Sequence, residues 1–174
     1  MGHGGHEDAA ATDGEAASMG HGGHEGARAY AYEKFKPFDP NFAERLKGVF
    51  DAASFITELG LKPVSVEAGY VVTELTVAQK HLQQNGFVHA GVLATIADHT
   101  AGGAASTLIF ADKFVLTAEF KINLLRPAKG DKIRCESFVL KNGKTLIVAD
   151  SYVYTLTGSR QRLVARSTVT LSVV

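Results

Sequence analysis

A single cysteine, Cys135, is all the thiol in this chain, so no disulfide can form within it and a reducing compartment suits it. Its neighbours read as a strand, which predicts a half-buried structural thiol rather than a nucleophile. An excess of either charge is also missing, because 18 Lys and Arg face 18 Asp and Glu. Without a net field, nothing favours nucleic acid or an anionic membrane as partner. No charged-then-apolar leader opens the chain. Only one stretch stays apolar for roughly 18 residues, and it carries charge, so neither a membrane span nor export is predicted and the expectation is a cytoplasmic protein. No Walker, Rossmann or zinc-ligand spacing occurs in the ordered region. Neither a metal nor an organic cofactor is called for.

What is present suffices for one domain: 174 residues, 45% of them hydrophobic, bury a respectable core but not two. Residues 1–26 stand apart. The heptad MGHGGHE occurs at residues 1–7 and again at 19–25, and such Gly- and Ala-rich sequence cannot bury enough apolar surface to offset its ordering entropy. His3, His6, His21 and His24 invite a metal reading, but a Gly-rich tail offers no preorganised geometry. A duplicated start region, with Met19 as a second initiation site, accounts for the repeat equally well. The expectation is a disordered tail over residues 1–36 and a folded domain over 37–174.

Residues 41–59 have helical periodicity, with Phe42, Leu46, Val49, Phe50, Ala53 and Phe55 or Ile56 near one face and Gly60 as stop. Strand patterns follow at 62–67 and 70–77, joined by a tight turn at Ala68 and Gly69. A polar loop holds Gln83, Gln84, Asn85 and Gly86. Beyond residue 110 come four long strand patterns, at 115–125, 132–140, 145–155 and 163–173. Asn142-Gly143 predicts a type I′ hairpin between the second and third of these. The sum is α+β: about six strands, mostly antiparallel, and one long apolar helix that needs a curved sheet around it to bury its faces.

That helix, residues 89–109, is the sharpest feature. It is apolar on nearly every side and so must be buried, yet it carries Asp98. A carboxylate there is costly unless paired, hydrogen-bonded or used, which predicts a functional acid. His99 points about 100° away from it and reads as an edge or interface residue. Gly102 and Gly103 read as a close-packing site. At the helix start, His89, Ala90 and Gly91 leave backbone N–H groups unpaired and partially positive, suited to a carbonyl oxygen and the oxyanion formed when it is attacked. Asp98 can attack directly or deprotonate a water. Residues 90 and 98 lie about 12 Å apart along one helix and cannot meet at one carbonyl carbon. Two subunits with these helices antiparallel bring Ala90 of one to Asp98 of the other, which predicts a dimer with two shared sites.

The order of elements, with His89-Ala90-Gly91 followed by Ala97-Asp98, the segment LTAEFKINLLRPA at 116–128 and LKNGKT at 140–145, resembles the hotdog-fold acyl-CoA thioesterases, specifically the phenylacetate-pathway (PaaI-like) group. The resemblance covers residues 42–174. It implies hydrolysis of an acyl-CoA to a free acid and CoA, without cofactor, by a homodimer often doubled to a homotetramer. Asp98 matches the catalytic carboxylate of the family. Gln83 stands where these enzymes place an Asn or Gln near the thioester or the attacking water, and Asn85 competes for that job. Thr117 matches a Ser or Thr that orients the water. Lys141, Asn142, Gly143, Lys144, Thr145 and Leu146 resemble a hairpin along the CoA nucleotide, its lysines meeting the phosphates, with Arg126 as a helper. His89 and Gly91 are carried over as substrate contacts, and His89 is also expected to bond a loop carbonyl.

Two departures stand out. Ala90 replaces the family's first glycine, which keeps the N–H but narrows the approach, and Gly102 lacks a hydroxyl that some relatives carry. Two other classes share the fold: hydratases or dehydratases, whose His-centred motif is absent here, and non-catalytic acyl-CoA-binding proteins.

Overall fold

The computed structural model describes residues 35–174; the His-rich repeat, and all but the last two residues of the expected tail, lie outside the described residues. The elements run α1 (Phe42–Ala52), α2 (Ser54–Leu59), β1 (Lys62–Glu67), β2 (Tyr70–Thr76), a 3-10 turn (Gln79–His81), α3 (Ala90–Ser106), β3 (Val115–Leu124), β4 (Lys132–Asn142), β5 (Leu146–Thr157) and β6 (Arg160–Val173). The six strands form one sheet in the order β1-β2-β4-β5-β6-β3, and every neighbouring pair is antiparallel. Among the described residues no helix is long and apolar enough to cross a membrane.

The expected single helix over residues 41–59 is two helices. Ala53 takes an extended conformation, ψ 91°, so the chain turns there; Leu46, Phe50 and Ile56 are buried in the core, and Ala53 and Leu59 pack against it half-buried. Val49 and Phe55 stay exposed; for Phe55 the break is the reason, since it rotates α2 out of the periodicity of α1. The other local departure is at the β4–β5 hairpin. A type I′ turn needs positive φ at both central residues, yet neither Asn142 nor Gly143 has it. Residues 143–145 form the loop, closed by the Gly143 N–H donating to the Leu146 carbonyl at 3.1 Å. Glycine is needed there for room, since a Cβ would lie 2.4 Å from that oxygen.

α3 packs on β2, β3, β4, β5 and β6, and its Leu93, Ile96, Ala97, Ala101, Ala104 and Ala105 join the core with Val71, Ile133, Val139, Ile147, Val153 and Leu171. Gly103 lets α1 approach, because a Cβ there would already touch Phe50 Cε2 at 3.4 Å. Hydroxyls set the axial position of α3 on the sheet. Ser151 Oγ donates to the Ala97 carbonyl at 2.8 Å and meets Ser137 Oγ at 2.6 Å. Thr73 and Thr100 pair at 2.7 Å, and Thr100 also donates to the Ile96 carbonyl. Buried hydroxyls must find partners, so these four residues lock the turn that carries Asp98. Cys135 lies in this layer, fully buried, and burial pushes its thiol up to about 11. It is structural, and more deeply buried than the strand pattern alone predicted.

Candidate active site

α3 is not buried on every side. Leu93, Ile96, Ala97, Thr100 and Ala104 face the sheet, whereas Gly91, Ala94, Thr95, Asp98 and Gly102 form a stripe that this chain leaves exposed or half-covered. Asp98 therefore sits at the surface of the helix rather than in the core. Its Oδ1 accepts a hydrogen bond from Thr117 Oγ1 at 2.8 Å. Thr117 is brought there by β3, beside a bulge between Thr117 and Glu119, and a bulge re-aims side chains locally. The hydroxyl expected to orient a water thus holds the carboxylate itself.

At the other end of the stripe, His89 caps α3. Its Nδ1 accepts the Gly91 N–H at 2.9 Å, and its carbonyl accepts from Val92 and Leu93. The ring bonds its own helix rather than a loop carbonyl, and Gly91 permits this, because a Cβ there would stand 3.1 Å from the ring. The cap leaves the Ala90 N–H as the first-turn donor without a partner among the described residues. The preceding loop folds back through Gln83 N–H to Phe87 carbonyl, 2.8 Å, and Gly86 N–H to Gln83 carbonyl, 3.0 Å. Gly86 has φ 76°, the left-handed conformation that glycine adopts without strain. Val88 N–H donates to the Ala128 carbonyl at 2.9 Å, tying the loop to the chain beyond β3.

These residues gather into two half-sites. Gln83, Ala90, Leu93, Leu124, Leu125 and Arg126 line one concavity of about 320 Å³. Asp98, His99, Thr117, Val49, Phe50 and Leu171 line another of about 190 Å³. One chain brings Gln83 to Ala90 and Thr117 to Asp98, but not the two pairs to each other. Asn85 lies exposed in the loop and is not among the residues lining either concavity. The 143–145 hairpin belongs to the Asp98 half: Leu146 pairs with Ser172, which pairs on its other side with Leu116, next to Thr117. Lys141 and Lys144 are exposed on it. Arg126 lies on the opposite, Ala90 half and donates to the Leu163 carbonyl at 2.9 Å.

His99, read as an edge or interface residue, is half-covered within this chain. Its ring stands edge-on to Phe50, centroids 4.5 Å apart, and forms part of the wall beside Asp98. Burial holds the imidazole below its ordinary value, against the opposing pull of the Asp98 charge. Helical projection placed it 100° from Asp98, but only the position of α1 shows what covers it.

One antiparallel sheet packed on one central helix is the hotdog architecture. The chain belongs to the thioesterase superfamily, whose family description matches residues 85–160. It is 32% identical to human acyl-coenzyme A thioesterase 13 over 107 residues, 59% of this chain and 74% of that protein. A thioesterase family protein from Silicibacter pomeroyi has the same fold, with TM-score 0.75 and 32% identity over 76% of this chain and 98% of that one. The PaaI protein from the phenylacetic acid degradation operon of E. coli shares the fold at TM-score 0.69, with 21% identity over 77% and 94% of the two chains. Three further curated relatives, named as esterases, are spanned over 65%, 63% and 52% of their length.

Proposed function

We propose that this protein hydrolyses an acyl-CoA thioester to a free acid and CoA at sites shared between two subunits. The observation that carries the reading is the division of one helix into complementary half-sites. An acid held by a hydroxyl stands at Asp98, and an unpaired N–H stands at Ala90 with Gln83 in the same concavity. Beside the open stripe of α3, Phe120 and Leu124 of β3 are 41% and 51% exposed. β3 ends the sheet and pairs only with β6. An apolar, unpaired edge strand is a template for a second chain. A two-fold axis through it makes the contact antiparallel and sets Ala90 of one subunit opposite Asp98 of its partner.

In that arrangement the thioester carbonyl oxygen takes the Ala90 N–H, at the positive end of the α3 dipole. Asp98 of the partner subunit attacks the carbonyl carbon, or removes a proton from a water that does so. When water attacks, the tetrahedral intermediate collapses to the acid and the CoA thiolate, which takes up the proton that Asp98 removed. When Asp98 attacks, loss of the thiolate leaves a mixed anhydride on Asp98, and a water hydrolyses it to the acid and the free carboxylate. Thr117 keeps the carboxylate oriented, and Gln83 contacts the carbonyl or the water. Lys141 and Lys144 on one subunit and Arg126 on the other supply cations for the CoA phosphates, with Gly143, Thr145 and Leu146 shaping the hairpin. A homotetramer would double this unit.

Release of free CoA from a panel of short, medium, long and aromatic acyl-CoAs tests the reading. Wild type turns over at least one member, and Asp98→Asn, isosteric and still able to accept from Thr117, lowers kcat by orders of magnitude with an unchanged circular dichroism spectrum. Unchanged turnover in Asp98→Asn would remove Asp98 from the chemistry.

A further inference from the structure

His81 is a buried titratable side chain, 2% exposed, that the proposed hydrolysis does not use. Both of its ring nitrogens are engaged. Nδ1 accepts the Ala78 N–H at 2.9 Å, so the ring proton sits on Nε2, which donates to the Leu59 carbonyl at 2.9 Å. The bond made by one nitrogen fixes the tautomer at the other, and a protonated ring would have no acceptor for Ala78. Only the neutral imidazole satisfies this place.

Leu59 is the last residue of α2, where a helix leaves carbonyls without donors of its own. The Gly60 N–H serves those of Ile56 and Thr57. The next two are taken by the 3-10 turn: Lys80 Nζ donates to the Glu58 carbonyl, and His81 to that of Leu59. The turn is thus fastened to the end of α2, and the His81 backbone carries that anchor to the start of α3. Its carbonyl accepts the His89 N–H at 2.8 Å, and Leu82 bridges Val88 antiparallel beside it. His81 and His89 therefore form the base of the small hairpin that holds Gln83. The peptide that follows His89 carries the unclaimed N–H of Ala90, and a peptide is planar, so fixing its carbonyl end fixes its N–H. Helix bonds from Val92 and Leu93 hold that carbonyl on one side; the His81 anchor holds the preceding N–H on the other.

We propose that His81 is a positioning residue for the hydrolysis: by fastening the base of the hairpin to α2, it sets the direction of the Ala90 N–H and the place of Gln83. This rests on the reading that the Ala90 N–H receives the thioester carbonyl oxygen. His81 touches neither substrate nor reacting atoms, so its loss acts on kcat through Ala90. A displacement of about 1 Å costs on the order of 10² in rate, while outright loss of an oxyanion donor costs about 10²–10³. The effect of His81 is therefore bounded by that of Ala90→Pro.

The test measures kcat and KM by CoA release, and amide hydrogen exchange at His89 by NMR. Wild type, His81→Asn and His81→Gln are compared, each alone and combined with Ala90→Pro. The Asn side chain still reaches Ala78 but not Leu59; the longer Gln reaches Leu59 but gives up Ala78. In His81→Asn, exchange at His89 should quicken by about tenfold or more. Its kcat should fall by about 10- to 100-fold with little change in KM, and His81→Gln should lie between it and wild type. In the Ala90→Pro background His81→Asn should lower kcat no further, because the donor it aims is already gone. Losses that multiply across the two sites, unchanged exchange at His89, or an effect on KM alone overturn the proposal. Faster exchange at His89 with no turnover of any acyl-CoA by wild type overturns the hydrolase reading and leaves the anchor standing. Should His81→Asn fail to fold, His81→Gln decides by the same comparison: its smaller loss should also vanish in Ala90→Pro, and a loss that multiplies, or none at all, counts against His81.

Discussion

Asp98 and His99 are neighbours in sequence, yet their surroundings give them opposite characters. Asp98 is on the uncovered stripe of α3, with Thr117 as its partner. His99 is turned under α1 against Phe50, where burial disfavours its charged form. The unfolded chain therefore binds a proton at His99 more readily than the folded protein does, so stability rises with pH where the two states differ. This contribution is fully present above the ordinary histidine value of 6.5 and declines as pH falls below it. Urea unfolding of wild type and His99→Gln between pH 7.5 and 5 checks this: the midpoint should fall more steeply with acid in wild type. Asp98 was legible as the functional candidate because a charged residue in an apolar helix is conspicuous. The burial of His99 was not, because it depends on α1, which is separated from it by the first two strands.

At the scale of the element, α3 leaves one backbone donor at its start unclaimed among the described residues. Ordinarily the first N–H groups are satisfied by a cap; here His89 takes the Gly91 N–H and leaves that of Ala90. Proline at a first helical position removes the N–H without disturbing the helix, and the extended backbone of His89, φ −63° and ψ 139°, is what a residue before proline needs. Ala90→Pro should therefore fold normally while kcat falls by about 10²–10³, the usual cost of one oxyanion donor. A variant with unchanged kcat would move the oxyanion site elsewhere. Strand positions were legible to within a few residues, since alternation and turn residues are local signals. The break at Ala53 and the three-residue loop at 143–145 were not, because packing of α2 and crowding at the Leu146 carbonyl decided them.

The whole molecule decides whether the two half-sites ever meet. With shared sites, Asp98→Asn and Ala90→Pro subunits are each inactive alone but complementary when mixed, because a mixed dimer has one site with Ala90 and Asp98 both intact. Random reassociation makes half the dimers mixed, so activity should recover to about a quarter of wild type. No recovery after verified subunit exchange would place both residues of a working site on one chain. Charge at the exposed edge gives a second reading of the same interface: Phe120→Lys should shift the protein toward monomer in sedimentation velocity and lower activity in parallel.

Periodicity and composition alone carried the order of the elements, the single central helix, the acid at Asp98 and the donor end at Ala90. The proposal of a second subunit starts there too, because eight residues of helix fix a distance of about 12 Å whatever surrounds it. Tertiary structure decided the rest. Register across β3, β5 and β6 set the 143–145 hairpin on the Asp98 half and Arg126 on the other. Hydroxyls from three strands locked the axial position of α3, and α1 closed over His99. Such contacts join residues far apart in the chain, and a local pattern carries no information about which of them will touch.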